Sequence, residues 1–473
     1  MNLSLTFEIM NVVSQRVFLF LYIAIAAFAL YCYNPLSLYF QNDDFIHIPL
    51  SAAGKIFQRN SFRPVCDISV MIDYFIWEKN AAGYHLSNLL LHIACCWLVF
   101  KTAKVVVIKY FEEANPVKTA SLVTLLFFVY ATHSEAVLWI LGRSGILGLI
   151  FSLLFLLSYL KREQDFFAKV KTVILLLLAL LSYESSFVLP LICLLLFFID
   201  NIKEDWKNLL AVFITFLAYF FARIYVTGEI LGSYEVSNLH QTAIVSIVQN
   251  FGKLFFRSFI PAYTQGIILV IACCIIAMYL LFLLIKKRTN KPLFLLFFIF
   301  IISLLPYCLL GIDAHGYESE RYLYFPTFFL CLLIVLIIIK NVQKPLLSHA
   351  LFLVILVIHS VSLFISSSNF ILAGKVNKVI INGVNHLSGI DTLKIEQLPQ
   401  AQNGALMMRL GFKEAIEWLG PKPTPEIIIL SRKSEWETMQ KNIKLKNNGS
   451  SFFHTNKTAL FTCTNRSIII TFQ

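Results

Sequence analysis

One feature constrains this chain more than any other: between Arg16 and Ser366, apolar runs of roughly sixteen to twenty-six residues recur with only short polar breaks. Each run is near the length needed to cross about 30 Å of hydrocarbon as a helix. The runs are continuous and show no period-two alternation, so helices are expected rather than a barrel. With 58% hydrophobic and 14% charged residues over 473 positions, the chain carries more apolar surface than a soluble core of its length hides. The expectation is an all-α polytopic membrane protein with about eleven transmembrane helices. The spans fall near 15–34, 84–108, 117–132, 144–160, 169–183, 185–200, 207–227, 262–285, 292–311, 322–340 and 348–367.

Charge placement orients the helices. The net charge of +12 would suit nucleic acid, but the basic residues sit between apolar runs, which excludes that partner and points to the lipid bilayer. One alternate set of loops is basic: Lys101, Lys104, Lys109 and Lys118; Lys161, Arg162, Lys169 and Lys171; Lys203 and Lys207; Lys286, Lys287, Arg288 and Lys291; Lys340 and Lys344. The opposite loops, around Arg143, Glu184 and Asp313, carry few cations. By the positive-inside rule the N-terminus is cytoplasmic, and an odd helix count puts the C-terminus outside. The first run has no small-residue cleavage site and reads as a retained helix. The Lys, Asn, Ile and Phe content points to a bacterial inner membrane.

Residues 1–367 thus form a transmembrane domain with two long outer loops, 34–83 and 228–261. Both loops look amphipathic: Phe45, Ile48, Ile56 and Phe57 alternate with Lys55 and Arg59, and the stretch 244–256 adjoins Lys253 and Arg257, as for helices in the interface plane. Residues 368–473 read as a small extracytoplasmic α+β soluble domain, from β-prone pieces at 426–430, 460–462 and 468–472 and a helical stretch at 413–419. Heptads and a 34-residue repeat are absent from the sequence. Cys95, Cys96, Cys193, Cys273, Cys274 and Cys331 lie inside apolar runs, where cysteine acts as a small hydrophobe, and no disulfide framework or zinc spacing emerges. The Asn448, Asn456 and Asn465 sequons lie in an Asn-rich tail.

Reactive-looking residues collect on the outer side. Asp43 and Asp44 follow the first helix; adjacent carboxylates can act as a base, hold a divalent metal, or cap the next helix, and their mutual repulsion calls for a nearby cation. On the second helix His85, Asn88 and His92 share a face. His85 and His92 are two turns apart, roughly 10 Å, too far to ligate one ion. His92 reads as a packing residue, and His85, nearer the outer end, as the better site candidate. His133 and Glu135, then Arg143, place a base, an acid and a guanidinium at adjoining helix ends. Glu184 separates two short apolar runs, so it lies below the membrane surface, where ionisable groups face a cavity or pathway. Glu320 and Arg321 precede the tenth helix beside Tyr322 and Tyr324. Each group has a bland alternative in salt bridging or an aromatic belt; their convergence at one end implies a one-sided cavity.

In motif order these residues resemble the GT-C superfamily of polyprenyl-phosphate-sugar-dependent glycosyltransferases, and within it the protein O-mannosyltransferase and tetratricopeptide-bearing transmembrane mannosyltransferase-like branches. The stretch Asn42-Asp43-Asp44, then Phe62-Arg63-Pro64, then Gly83-Tyr84-His85 through Asn88 to His92, is similar to that family's first outer loop and second helix. His133-Ser134-Glu135-Ala136 with Gly142-Arg143, and Glu320-Arg321-Tyr322-Leu323-Tyr324-Phe325-Pro326, continue the likeness over about the first 340 residues. The resemblance implies that Asp43 or Asp44 is the catalytic base and that a polyprenyl-phosphate-linked sugar is the donor. The sugar would pass, with inversion, to an acceptor hydroxyl on the extracytoplasmic face. Donor phosphate and sugar would be held by Arg63, His85, His133, Glu135, Arg143, Glu184, Glu320 and Arg321, with Lys253 or Arg257 as further cations. The tail shows neither a tetratricopeptide array nor an acceptor-binding module, which leaves lipid, glycan and protein acceptors open. Metal dependence varies across the superfamily, so no cofactor is specified and a divalent metal stays open. The rival expectation is a transporter or flippase for a lipid-linked or anionic solute, which Glu184 and His92 would suit, although repeats of helix groups are not evident.

Overall fold

In a computed structural model of the chain the apolar runs become helices, because a helix satisfies every backbone polar group where water cannot. The structure describes residues 3–56, 62–161, 165–200, 206–228, 244–262, 271, 273–275, 277–279, 282, 291–313, 316–385, 392–395, 398–430, 432–433, 458–463 and 468–472. In chain order the helices are α1 Leu3–Cys32, α2 Asp44–Ala52, α3 Pro64–Trp77, α4 Ala81–Tyr110, α5 Pro116–Val129, α6 Ser134–Leu138, α7 Arg143–Lys161, α8 Phe166–Leu180, α9 Leu189–Asp200 and α10 Trp206–Thr227. Then come α11 Ile244–Phe259, α12 Lys291–Leu304, α13 Tyr324–Asn341, α14 Pro345–Asn385 and α15 Phe412–Leu419. Their starts carry ordinary signals: Pro64 and Pro116 stand in first turns, and Asn115 and Asp165 cap α5 and α8 by accepting from the Lys118 and Ala168 amides.

Six segments among the described residues are long and apolar enough to cross a membrane: Arg16–Ser37, Ala81–Tyr110, Ile140–Lys161, Trp206–Thr227, Glu320–Asn341 and Pro345–Asn385. The chain is therefore a multi-pass membrane protein. The helix pair α5 and α6 forms a seventh apolar unit bent by 57°. Backbone freed at that bend and at the α6–α7 junction finds side-chain partners. The Ala131 amide donates to His359 Nδ1 at 3.3 Å, and Asn88 Nδ2 donates to the carbonyls of Val137, Trp139 and Ile140 at 3.3, 2.9 and 3.2 Å. Irregular backbone at membrane depth needs such substitutes.

The expected spans 169–183 and 185–200 are the short helices α8 and α9, of 15 and 12 residues, joined by a 3-10 turn at Glu184–Val188. At 1.5 Å per residue they reach only about 22 and 18 Å, which sets Glu184 inside the bundle rather than at its rim. The span expected at 292–311 is α12, continued by the 3-10 turn Leu305–Tyr307. The span expected at 262–285 falls largely outside the described residues, as do Arg162, Lys203, Lys286, Lys287, Arg288 and the three sequons. The span expected at 348–367 is only the first half of α14, whose 41 residues extend about 60 Å. The boundary placed after residue 367 therefore falls inside a continuous helix. It continues because the buried stripe does not stop: Phe370, Ala373, Gly374, Asn377, Ile380, Ile381 and Val384 keep helical spacing.

Loop 34–83 holds α2 and α3; Phe57 and Arg59 lie outside the described residues. In α3 the exposed residues are the apolar ones, Ile68, Ile72, Phe75 and Ile76, while Asp67 and Asp73 are buried. The helix thus shows hydrocarbon-like side chains outward and acids inward. Helix α11 also exposes Ile244, Val245, Val248 and Phe256, and buries Arg257 and Ser258.

Beyond α14, strands β1 Thr392–Ile395, β5 Glu426–Ile429, β7 Thr458–Cys463 and β8 Ile468–Phe472 form a mixed sheet in the order β5-β1-β7-β8. β1 is parallel to both neighbours, and β7 pairs antiparallel with β8. Two short ladders join β2 Leu398–Pro399 to β6 Arg432–Lys433 and β3 Ala401–Gln402 to β4 Ala405–Leu406. Helix α15 seats this unit on the bundle, with the Trp418 ring 4.9 Å from that of Phe40.

Candidate functional site

Four buried or nearly buried acid–arginine sets gather at one end of the bundle, each joining elements far apart in sequence. Arg63, just before α3, donates from Nε to Glu184 Oε2 at 3.0 Å, and its Nη2 lies 2.8 Å from the same oxygen. Arg223, buried near the C-terminal end of α10, approaches Glu184 Oε1 at 3.6 Å and donates to the Tyr219 hydroxyl at 3.2 Å. The Arg63 guanidinium sits 4.5 Å over the Tyr183 ring. One carboxylate is thus flanked by two guanidiniums and an aromatic face.

Arg143 opens α7 and is 1% exposed. Its Nη1 contacts Asp73 Oδ2 at 2.6 Å, and its other donors reach the carbonyls of Ile140 and Tyr84 at 3.2 and 3.1 Å. Asp73 also accepts from Ser87 Oγ at 2.8 Å. Glu135 accepts from the Ser319 and Arg321 amides at 3.3 and 2.8 Å and pairs with the Arg321 guanidinium. Glu320, fully buried, accepts from Arg257 Nη2 at 2.7 Å and from the Ala262 amide at 3.3 Å. A buried ion pair survives only when hydrogen bonds fill its remaining positions; Asp73 and Glu135 draw such bonds from Ser87 and from the Ser319 and Arg321 amides, whereas Glu320 Oε2 accepts none and Arg257 Nε donates none among the described residues.

The sets adjoin one another around the first turns of α7. A Cβ on Gly145 would lie 3.4 Å from the Arg321 carbonyl and 3.9 Å from the Tyr183 ring. Tyr307 stacks on Tyr322 at 4.2 Å and lies 6.0 Å from Tyr183, so aromatics bridge the Glu184 and Glu135 sets. At Gly142 a Cβ would meet the Glu135 carbonyl at 2.2 Å, so only glycine allows α6 to fold back this closely.

The acid pair stands beside this cluster. Gln41, Glu135, Trp139, Tyr317 and Glu318 line one small cavity, which places the acid-pair loop next to the Glu135 set. Asp43 immediately precedes α2 and is half-buried; Asp44 is fully buried, with Oδ2 accepting from the Gln41 amide at 2.9 Å. Burial, with the neighbouring Asp43 charge, pushes the Asp44 carboxyl well above the usual carboxylate range, against the pull of the Gln41 amide and Arg143.

Each candidate from the sequence can now be placed. Arg63 meets Glu184, Arg321 meets Glu135, and Glu320 meets Arg257. His85 lies 3.3 Å from the Tyr39 carbonyl through Nε2. His133 contacts Thr327 Oγ1 at 2.6 Å and packs on Phe127 and Tyr324 with centroids at 4.3 and 4.5 Å. His92 contacts the Tyr324 hydroxyl at 2.6 Å. Lys253 is exposed. The sequence reading missed Asp73, the partner of Arg143, and Arg223, the second cation at Glu184; each is an ionisable residue inside an otherwise apolar stretch, and that isolation was the available signal. Among the described residues no three His, Cys, Asp or Glu side chains converge as metal ligands.

Membrane-crossing helices with acid–arginine pairs gathered at one end define a polytopic membrane protein with a one-sided polar site. Its sequence is similar to protein O-mannosyl-transferases. It is 31% identical to Protein O-mannosyl-transferase Tmtc1 of Drosophila melanogaster over 154 residues, 32% of this chain and 17% of that protein. It is 30% identical to Protein O-mannosyl-transferase TMTC3 of Homo sapiens over 130 residues, 28% of this chain and 13% of that protein. The matched stretch spans less than a fifth of either relative's length. No family model matches the chain. Among solved structures, ArnT from Cupriavidus metallidurans bound to undecaprenyl phosphate aligns with 86% of this chain and 89% of its own, at a TM-score of 0.48 and 9% identity.

Proposed function

We propose that the chain is a glycosyltransferase that moves a sugar from a polyprenyl-phosphate carrier to an acceptor hydroxyl, with inversion, at the extracytoplasmic face. Asp43 is the base. It takes the acceptor proton as the acceptor oxygen bonds to the anomeric carbon and the bond from that carbon to the phosphate oxygen breaks. The lipid phosphate leaves with the electron pair. Arg63 and Arg223 stabilise the negative charge on it, as guanidiniums match phosphate geometry.

The observation that carries this reading is the convergence of Arg63 and Arg223 on Glu184, at the same end of the bundle as Asp43. Asp44 is sealed from an acceptor and orients the loop. Arg143, bound to Asp73 and backbone carbonyls, fixes the start of α7. His85, His133, Glu135, Glu320 and Arg321 form the surrounding wall. Similarity to the O-mannosyl-transferases supports a hexose donor.

The test uses the purified full chain in proteoliposomes with radiolabelled polyprenyl-phosphate mannose and, in separate arms, a serine- and threonine-containing peptide, a glycan and a glycolipid. Acceptor labelling with release of polyprenyl phosphate supports the reading and names the acceptor class. Movement of intact donor between leaflets without transfer would instead support a flippase.

A further inference from the structure

The loop that carries the acid pair is held by the end of α14 and the segment that follows it as well as by its own helix. Asn42 takes a left-handed backbone conformation, φ 47°. Its amide donates to the Met407 carbonyl at 2.5 Å, and its side-chain Oδ1 accepts from the Leu410 amide at 3.0 Å. One residue earlier, Gln41 Nε2 donates to the Phe370 carbonyl on α14 at 2.7 Å.

Asn377, fully buried on α14, sits at the junction. Its Nδ2 donates to the Phe40 carbonyl at 3.0 Å and is 3.3 Å from the Met407 carbonyl. It thus touches both sides of the joint, 40–42 and 407–410. The close approach is built into the backbone. A Cβ on Gly411, φ 77°, would meet the Asn42 carbonyl at 2.8 Å, and one on Gly374 would meet the Tyr39 amide at 3.0 Å. Outside the joint, Arg409 grips Glu318 at 2.8 Å and Asn403 donates to Asn369 Oδ1 at 3.1 Å.

We infer that Asn377 is a positioning residue for the acid pair, tying the loop at 40–42 to the segment at 407–410 so that Asp43 faces the acceptor hydroxyl. This rests on the reading of Asp43 as base. It gives the C-terminal part of the chain a role in turnover rather than in acceptor capture. A base displaced by about 1 Å can lose two orders of magnitude in rate without losing its substrate.

The experiment compares wild type, Asn377→Leu, which keeps size and removes the donor, Asn377→Gln, which restores an amide, and Asn42→Gly, which keeps the backbone conformation and removes the bond to Leu410. Each full-length variant is read by amide hydrogen exchange and by turnover of polyprenyl-phosphate mannose, with Asp43→Asn alongside. The inference expects at least tenfold faster exchange at the Asn42 and Asp44 amides in Asn377→Leu and in Asn42→Gly. It also expects unchanged exchange in α4, a kcat lower by about tenfold or more with the donor KM unchanged, and partial recovery in Asn377→Gln. Wild-type exchange at 42 and 44 in both variants overturns it, whether or not the mannose donor is turned over. So does an unchanged kcat in Asn377→Leu when Asp43→Asn is inactive. An active Asp43→Asn instead removes the base assignment, a separately visible failure.

Discussion

Arg63 and Glu184 are 121 positions apart in sequence, yet three of their atom pairs lie within 3.2 Å. Arg223 reaches the same carboxylate from α10. This triad holds together the loop before α3, the turn between α8 and α9, and the end of α10, and it sets the charge of the proposed phosphate site.

Removing the central acid should be costly. Glu184→Gln leaves two guanidiniums facing a neutral amide in a nearly buried position, and breaking one partner out of such a pair costs about 3 kcal/mol or more. The apparent melting temperature in detergent should fall by several degrees. In Arg63→Ala the same scan should fall less, because Arg223 still faces the acid, while donor affinity drops by about tenfold, roughly 1.4 kcal/mol.

Asp44 sets a pH dependence. Its pKa is higher in the folded chain than unfolded, so the folded state binds more protons between the two values. Stability therefore falls as pH rises from the ordinary aspartate range through the raised value. Asp44→Asn should remove that loss. Melting temperatures across pH 4 to pH 9 check it, and they should converge at the acid end, where wild-type Asp44 is protonated (about pH 4 by the reference aspartate value).

Arg143 should not tolerate lysine. Its guanidinium reaches Asp73 and the Ile140 and Tyr84 carbonyls in different directions, and an ammonium cannot reproduce that fork. Arg143→Lys should lower turnover by about tenfold, with a melting-temperature loss smaller than that of Arg143→Ala, since lysine still pairs Asp73; the size of the rate effect follows from small misplacement of reacting groups.

Asn88 should matter through the α6–α7 junction. It serves three carbonyls there; the Trp139 and Ile140 carbonyls keep the Gly142 amide and Arg143 as donors, so Asn88→Ala costs the Val137 carbonyl its side-chain donor, about 1 kcal/mol. Loss of hydrogen-exchange protection confined to residues 131–143 would show the effect.

Much of this architecture was legible because hydrophobic length is a strong signal: helices α4, α7, α10 and α13 lie where apolar runs required them. Of the lysines used to orient the chain, Lys109, Lys161 and Lys340 stand in the last turns of α4, α7 and α13. What failed to show was pairing. Nothing local tells Arg63 that its partner is residue 184, or Glu135 that Arg321 and its amide lie 186 positions on. The loop at 34–83 was read as lying on the membrane from Phe45, Ile48 and Ile56, whereas Phe45 and Ile48 are fully buried. The end of α14 was lost because bilayer thickness, rather than the continuing buried stripe from Phe370 to Val384, was used to stop it. The acid pair stood out by its motif, but nothing local showed that the distant Met407 to Gly411 segment folds against Asn42.

The central claim is that Asp43 removes the acceptor's proton. Single-turnover rates of sugar transfer from polyprenyl-phosphate mannose by wild type and Asp43→Asn, at saturating donor and acceptor, test it most directly. The account predicts a rate at least about a hundredfold lower in Asp43→Asn with donor binding intact, the scale of general-base catalysis. Transfer by Asp43→Asn at the wild-type rate would contradict it.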